Sequence, residues 1–404
     1  MRFFMKAPKL NIFAATNEHE LLRKLVRKFA EEELEPGAFK RDREEFFDKE
    51  LFKKLGDLGL LGITAPEEYG GSAMDATAAV IVHEEIAAVD AGMALAYLAH
   101  SMLCVNNISL NGSSEQKAFY LPKLCTGEWI GAMAISEPQA GTDVRALSTT
   151  ATPIPEGYII NGTKLWITNG AQDEQKTPAD VLFLYAKIKN QEHKQKISSF
   201  IIQNNQQGYK VGQKLSNKLG MRSSITAELV FDDCHIRSDQ LVGHEGEAFL
   251  HMMRNLQIER LTLAAISLGI ARRCLVIMNK YASERIAFNQ PIAKFGQIQK
   301  YIAESYAKYK AARSYIYNIA YQTELNHAHG RIDSDAVKLF ASTAAKEIAD
   351  AAIQVLGGYG YMGEYVVERL WRDAKLLEIG GGTIEAHQKN MTEDLQKRPY
   401  ALFD

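Results

Sequence analysis

In the segment Gly157-Tyr-Ile-Ile-Asn161-Gly162-Thr-Lys-Leu-Trp166-Ile-Thr168, β-branched and aromatic residues stand on both sides of an Asn-Gly pair. Residues of these types favour strands, and Asn-Gly is the dipeptide most typical of a two-residue hairpin turn. The segment therefore predicts a β-hairpin that turns at Asn161 and Gly162. On either side of this region, the apolar spacing is that of helices.

Further strands are predicted near this hairpin, at Val181-Leu-Phe-Leu-Tyr-Ala-Lys-Ile188, Ser199-Phe-Ile-Ile202 and Ala227-Glu-Leu-Val-Phe231. The polar run at residues 189–196 is expected to be a solvated loop. Residues from about 17 to 125 and from 246 to about 394 have apolar residues at helical spacing. We therefore predict an α+β fold, mostly α, with an N-terminal helical domain (1–126), a middle antiparallel β domain (127–236) and a C-terminal helical bundle (237–404).

The composition is that of a soluble globular protein. Hydrophobic residues make up 46% and charged residues 24% of the 404, and the net charge is −2, without the basic excess that nucleic-acid binding needs. The longest apolar run, residues 261–271, is too short to cross a bilayer, and the N-terminus lacks the apolar segment of a signal peptide. The four cysteines are far apart, which favours reduced thiols over disulfides or a zinc site. We expect a soluble protein of a reducing compartment, with no metal.

A carboxylate interrupts the apolar face of the longest predicted helix. The apolar residues of this face are Met252, Leu256, Leu263, Ile266 and Ile270, and Glu259 stands within the row. A carboxylate that faces a core is desolvated, which raises its pKa and makes it a better proton acceptor. A buried glutamate paired with an arginine would give the same pattern. The spacing alone leaves a catalytic and a structural role open.

Three glycines, Gly358, Gly360 and Gly363, match the pattern GxGxxG, and Glu378 follows about twenty residues later. A dinucleotide-binding Rossmann site requires a strand before the first glycine. The preceding residues, 341–355, are instead rich in alanine and have helical spacing. We interpret the glycines as the turn that ends a helix, although exposed N–H groups there could still contact a phosphate.

Four motifs occur in a specific order: Ala134-Ile-Ser-Glu-Pro138-Gln-Ala-Gly141-Thr-Asp143, Asn161-Gly-Thr-Lys-Leu-Trp166-Ile-Thr168-Asn169, Gln354-Val-Leu-Gly-Gly358-Tyr-Gly360 and Arg372-Asp-Ala-Lys375. Together they resemble the flavin-dependent acyl-CoA dehydrogenases, over a span from about residue 17 to 394. That family has the same division into helices, sheet and helices. The resemblance implies that the chain binds FAD between its middle β domain and its C-terminal helices.

The resemblance also implies cofactor contacts by position. Those with the isoalloxazine and ribityl portions of FAD would be Met133, Ala134, Ile135, Ser136, Gly141, Thr142, Trp166, Ile167 and Thr168. Those with the diphosphate and adenine portions, across a subunit interface, would be Arg285, Phe288, Gln354, Val355, Leu356, Gly357 and Gly358. A further cofactor segment contains Thr383 and Glu385. Shared cofactor sites imply a homo-oligomer, which in this family is usually a tetramer.

The chain departs from the common pattern of the family at Gly381. Many members carry their catalytic glutamate at this position. The isovaleryl and long-chain types instead carry it on the long helix, in a Glu-Arg pair that Glu259 and Arg260 match. The resemblance therefore implies that Glu259 is the base. The alternatives are Glu378 and Glu385, which flank Gly381.

The implied activity is α,β-dehydrogenation of an acyl-CoA thioester to the 2-enoyl-CoA, with electrons passed to an electron-transfer flavoprotein. The resemblance is closest to the isovaleryl and short branched-chain types, and the missing side chain at Gly381 would free volume for a branched acyl group. Substrate contacts would be Thr142, Arg260 and the N–H of Gly381. Alternatives on the same fold are an acyl-CoA oxidase, a flavin monooxygenase, a straight-chain (long-chain) dehydrogenase and a non-catalytic scaffold. The expected location is the bacterial cytoplasm or the mitochondrial matrix.

Overall fold

The computed structural model describes residues 11–174, 176–189, 196–325 and 331–398. The chain forms helices, then a sheet, then helices, so the predicted α+β class, mostly α, is confirmed. The expected solvated loop falls mainly on residues 190–195, which lie outside the described residues, as do the first ten residues of the chain.

The N-terminal part consists of helices that surround two alanine-rich members. The helices are α1 (Asn17–Phe29), α2 (Glu35–Glu44), α3 (Lys49–Asp57), α4 (Ala76–Ala87), α5 (Ala91–Leu98), α6 (Asn106–Asn111) and α7 (Ser114–Cys125). Helices α4 and α5 are buried along their whole length: α5 is apolar on every face, whereas α4 also buries Glu84 and Glu85 in ion pairs with arginines. The side chains of Asp75 and Asp90 begin them by accepting hydrogen bonds from main-chain N–H groups.

The middle part is a mixed, mostly antiparallel sheet. Its strands are β1 (Gly131–Ala134), β2 (Thr150–Ile154), β3 (Gly157–Thr168), β4 (Val181–Ile188), β5 (Lys196–Gln203), β6 (Tyr209–Lys214), β7 (Thr226–Arg237) and β8 (Leu241–Val242). The strand order is β6-β7-β3-β2-β4-β5-β8, with β1 also paired to β4. The prediction of an antiparallel domain needs one correction: β1 and β2 both run parallel to β4.

The predicted hairpin at Asn161 and Gly162 is wrong. Residues 157–168 form one strand, and the Asn-Gly pair lies at a bulge where its register against β7 shifts. Asn161 donates a hydrogen bond to Asp233 (3.0 Å) and accepts one from its N–H (2.9 Å). A β-carbon on Gly162 would lie 2.6 Å from Oγ1 of Thr149. The glycine permits close packing between neighbouring chain segments, not a reversal of the chain.

The C-terminal part is built on long helices. They are α8 (Ala248–Glu284), α9 (Gly296–Gln322), α10 (Arg331–Leu356), α11 (Val367–Leu377) and α12 (Ile384–Lys397), with a two-stranded ribbon, β9 (Ile286–Ala287) and β10 (Gln290–Pro291), after α8. Helix α8 packs against α10 and α4 and so joins both helical parts. A short 3₁₀ turn from Gly357 to Tyr361 follows α10, so the GxGxxG glycines do end a helix.

Two helical stretches, Ala91–Asn111 and Ala248–Glu284, are long and apolar enough to cross a membrane by composition. In the folded chain, 89% and 72% of their most apolar windows are buried inside the protein. Such burial is typical of core helices.

Candidate functional site

Glu259 is buried on α8, with 8% of its surface exposed. Burial raises the pKa of its carboxyl to about 7, against the opposing effects of Arg260 and Lys338. Leu263 and Ile266 on the same face are buried as well, so the predicted apolar row faces the core. A carboxylate with a pKa near neutrality is suited to accept a proton at physiological pH.

Gly381 faces this carboxylate. A β-carbon at position 381 would lie 3.5 Å from Oε1 of Glu259 and 2.1 Å from Cδ1 of Leu263. The φ angle of Gly381 is +65°, in the left-handed region that favours glycine. We expected the missing side chain to leave open volume. Instead, Leu263 occupies the position of the β-carbon and forms an apolar wall beside Glu259.

Arg260, the neighbour of Glu259 in the chain, points to α10. Its guanidinium forms an ion pair with Asp335 (3.0 Å), and the imidazole of His387 on α12 contacts the same carboxylate. These groups lie beside the turn at residues 380–382, since a β-carbon on Gly382 would lie 2.9 Å from Cε1 of His387. Helices α8, α10 and α12 therefore meet at this turn.

The two alternative carboxylates have different surroundings. Glu378 accepts a hydrogen bond from Lys375 (2.6 Å). Glu385 lies exposed in the first turn of α12, where hydrogen bonds from its own N–H and from Thr383 lower its pKa. Thr383 caps α12 by accepting from the N–H of Ala386 (3.2 Å). Because a lowered pKa weakens a base, Glu259 has the more suitable environment for proton abstraction.

The predicted flavin contacts of the middle domain lie on adjacent chain segments. The N–H of Leu165 donates to the carbonyl of Ser136 (3.0 Å). The ammonium of Lys164 donates to the carbonyl of Ile135 (3.0 Å). These bonds join residues 133–136, at the end of β1, to the end of β3 that carries Trp166. Both segments therefore lie side by side where β1 and β3 end, and we refer to this end of the sheet, residues 133–136 and 164–168, as the sheet edge.

This edge offers an apolar surface and accessible main chain. Trp166 is 56% exposed, whereas Ala134 and Ile167 are buried in both side chain and main chain. A β-carbon on Gly141 would meet no atom within 4 Å, and the adjoining Thr142 is exposed. An exposed indole beside open main chain suits the face of a planar ring system. The residues present therefore fit a flavin.

Tyr185 connects this edge to Glu259. In the pairing of β1 with β4, Ala134 stands opposite Leu184, so Tyr185 is next to the segment that begins at Ile135. Burial raises the pKa of Tyr185, and the charge of Glu259 raises it further. Leu256, one helical turn before Glu259, and Ile135 both pack against the hydrophobic cluster that contains Tyr185, so α8 brings Glu259 to this part of the sheet.

The predicted contacts with the diphosphate and adenine portions of FAD lie at the far end of α8, away from Thr383 and Glu385 at the start of α12. Arg285 caps this helix, about 40 Å from Glu259 at the helical rise per residue. A groove of about 470 Å³ is lined there by several of them: Arg285, Val355, Leu356 and Gly358. Three further predicted contacts are exposed: Phe288, Gln354 and Gly357. The predicted cofactor residues therefore form two separate groups.

Sequence reasoning missed several polar residues of the site. Lys164 and Glu137 form a fully buried ion pair (2.8 Å) beneath the sheet edge. Lys338 is fully buried on α10 and donates a hydrogen bond to the carbonyl of Gly382 (2.7 Å). One signal could have revealed it: Asp335 and Lys338 stand one turn apart in an alanine-rich helix.

Comparisons with known proteins agree with this architecture. Three family models match the chain. They are described as the N-terminal, middle and C-terminal domains of "Acyl-CoA dehydrogenase" and match residues 16–128, 132–234 and 247–396. The chain is 40% identical over 398 residues to "Isovaleryl-CoA dehydrogenase, mitochondrial" of Oryza sativa subsp. japonica, covering 98% of this chain and 95% of that protein.

Solved structures are similar over nearly the whole chain. One is butyryl-CoA dehydrogenase from Megasphaera elsdenii, with 33% identity, a TM-score of 0.88 and coverage of 97% of this chain and 100% of that one. Another is an acyl-CoA dehydrogenase complexed with FAD from Bacillus anthracis, with 30% identity, a TM-score of 0.85 and coverage of 95% and 68%.

Proposed function

Because the chain belongs to the acyl-CoA dehydrogenase family of FAD-dependent oxidoreductases, we propose that it dehydrogenates a short branched acyl-CoA with Glu259 as the base. The observation that carries this proposal is the buried carboxylate of Glu259 beside a glycine at position 381. A side chain at position 381 would contact the carboxylate of Glu259. The pocket therefore has room for a catalytic carboxylate at position 259 or at position 381, but not at both.

In the proposed reaction, Glu259 accepts the α-proton of the thioester. Its pKa of about 7 leaves a large fraction ionised at neutral pH while keeping it basic. The thioester oxygen gains negative charge as the proton leaves, and the N–H of Gly381 is the proposed donor that stabilises it. Bound FAD supplies the acceptor for the hydride that leaves the β-carbon.

The apolar wall next to Glu259 supports a small aliphatic acyl group. Leu263 stands where a side chain at 381 would be, so the pocket is lined there by hydrocarbon and main chain. A branched five-carbon acyl group such as isovaleryl suits this lining, and the relative from Oryza sativa bears that name. Thr142 and Arg260 are proposed as further substrate contacts.

The two groups of cofactor residues support a shared site between subunits. Arg285 and the groove at residues 355–358 lie about 40 Å along α8 from Glu259. We infer that these residues, with Phe288 and Gln354, bind the FAD of a second subunit. The proposed assembly is a homotetramer that passes electrons to an electron-transfer flavoprotein in the bacterial cytoplasm or the mitochondrial matrix. The cysteines, all buried and unpaired, suit either reducing compartment.

Anaerobic mixing of the purified holoprotein with isovaleryl-, 2-methylbutyryl-, butyryl- and palmitoyl-CoA tests the proposal. We expect loss of flavin absorbance, fastest with isovaleryl-CoA. Glu259→Gln should slow it by about 10²- to 10⁴-fold, as for loss of a general base, while the matched variants Glu378→Gln and Glu385→Gln retain most of the rate. Loss of flavin absorbance in Glu259→Gln at the wild-type rate would contradict the assignment of Glu259 as the base. Rapid peroxide formation with acyl-CoA in air would identify an oxidase instead.

A further inference from the structure

The turn at residues 380–382 is held by a buried lysine from another helix. Lys338 lies on α10, fully buried, and its ammonium donates a hydrogen bond to the carbonyl of Gly382 (2.7 Å). The neighbouring Gly381 is the residue whose β-carbon would lie 3.5 Å from Oε1 of Glu259. One main-chain turn therefore connects the lysine to the proposed base.

A fully buried ammonium is costly unless charges or hydrogen bonds compensate for it. Burial lowers the pKa of Lys338 to about 8, and the charge of Glu259 acts in the opposite direction. Lys338 thus remains largely protonated at neutral pH, in a position where its charge favours the ionised form of Glu259. The turn and the carboxylate compensate for a charge at this depth, together with Asp335 and Glu378, whose charges also raise the pKa of Lys338.

The other groups around Glu259 act differently. Arg260, on the same helix, is paired with Asp335, which also contacts His387, so part of its charge is neutralised locally. Tyr185 from β4 stays protonated, because burial raises its pKa. Lys338 is therefore the cation from a second helix whose charge acts on Glu259 and whose hydrogen bond acts on the turn.

We propose that Lys338 is a positioning residue, which holds the main chain at residues 381 and 382 against Glu259 and supplies a cation to the surroundings of this carboxylate. This inference rests on the proposed function, because it assigns Lys338 a part in the reaction of Glu259. The lysine itself does not exchange a proton with the substrate.

The test replaces Lys338 by methionine, which has similar length and no charge. In anaerobic reduction of the holoprotein by isovaleryl-CoA, we expect the pH midpoint of the rate to rise by about one unit, since an opposite charge nearby lowers a carboxyl pKa by roughly that amount or more. Lys338→Arg should restore part of the shift. Lys346→Met, the same change at a partly exposed position on α10 that contacts Trp371, is the matched control and should leave the midpoint unchanged.

A second readout does not depend on catalysis. The pH dependence of the unfolding temperature is compared between wild type and Glu259→Gln, and between Lys338→Met and the double variant. The difference within each pair reports the titration of Glu259. We expect this titration to move to higher pH when Lys338 is absent.

An unshifted titration of Glu259 in Lys338→Met would overturn the inference, even if the rate falls. Failure of Lys338→Met, Lys338→Gln and Lys338→Arg to fold with bound FAD would also overturn it, because the lysine would then be structural. Failure of the proposed function looks different. In that case no acyl-CoA bleaches the wild-type flavin, or Glu259→Gln reacts at the wild-type rate, whatever the Lys338 variants do.

Discussion

The side chain of Leu263 occupies the position that a β-carbon of residue 381 would take, with Cδ1 only 2.1 Å from it. Leu263 lies on α8, and Gly381 lies in the turn before α12. Glycine at 381 and leucine at 263 are therefore one packing arrangement, and it places hydrocarbon next to the carboxylate of Glu259.

Gly381→Ala should destabilise the protein by about 1–3 kcal/mol, through the contact with Leu263 and the positive φ angle. Leu263→Ala in the same chain should recover the part due to the contact, so the double variant is more stable than the sum of the single effects predicts. Denaturant unfolding of the four proteins measures this coupling. Gly296→Ala, at a helix start where a β-carbon meets no atom within 4 Å, is the control and should be nearly neutral. Strict additivity of Gly381→Ala and Leu263→Ala would contradict the packing argument.

The pH dependence of the reaction follows from the raised pKa of Glu259. Only the ionised carboxylate accepts a proton, so kcat/KM should rise with pH through about 7 and then level off. The measurement is the rate of flavin reduction at limiting acyl-CoA from about pH 5 to about pH 9, a range that extends roughly two units on either side of that pKa. A profile that is flat from pH 5.5 to 8, roughly the window in which such a group titrates, would exclude Glu259 as the base.

The carboxyl of Glu259 should also affect the free energy of unfolding, and its contribution to stability should fall with rising pH, whereas the reaction rate rises. Its pKa is about 7 in the folded protein against 4.5 for a glutamate in water, so the folded state holds the proton more tightly. This contribution is fully present below about 4.5 and is lost as the pH rises through 7, by roughly 3 kcal/mol in all. Glu259→Gln removes it. The free energy of unfolding of the wild type relative to this variant should therefore fall across that window, and a rise would show that the pKa is lowered.

The buried pair of Lys164 and Glu137 supports the edge that carries Trp166. Lys164→Met leaves the Glu137 carboxylate buried without its cation, which should cost about 3–5 kcal/mol and weaken FAD binding. Adding Glu137→Gln to Lys164→Met should recover part of the lost stability and part of the lost FAD affinity. Denaturant unfolding measures the stability, and flavin fluorescence titration measures the affinity. Lys308→Met is the control, because it breaks an exposed pair with Glu347 that should contribute at most about 1 kcal/mol. Equal effects of the two lysine substitutions would contradict this role.

Local pattern was sufficient for much of the fold. The strand Val181–Ile188 has the predicted bounds, because a run of branched and aromatic residues specifies both its type and its length. Glu259 could be found in the same way, as a carboxylate within an apolar row. Its role could not, since the row alone does not distinguish a base from a structural ion pair.

Contacts between segments that are distant in the chain could not be predicted from the local sequence pattern. Lys338 and Gly382 are separated by more than forty positions in the chain, and their hydrogen bond depends on how α10 packs against the turn before α12. The pairing of Lys164 with Glu137 likewise depends on the sheet. Spacing predicts which face of an element is buried, but the partner of a buried charge is set by tertiary structure.

The Asn161-Gly162 pair shows the same limit and supports a final prediction. In a two-residue turn, a β-carbon on the glycine would point to solvent, and Gly162→Ala would cost about 1 kcal/mol through backbone conformation alone. At the observed bulge, the added carbon would lie 2.6 Å from Oγ1 and 2.7 Å from Cα of Thr149, at a φ of +149°. We therefore expect a loss of about 2–3 kcal/mol in denaturant unfolding. Thr149→Ala should rescue little of it, because the contact with Cα remains. Full rescue, or a loss no larger than that of an exposed glycine, would mean that the segment turns where its sequence suggests.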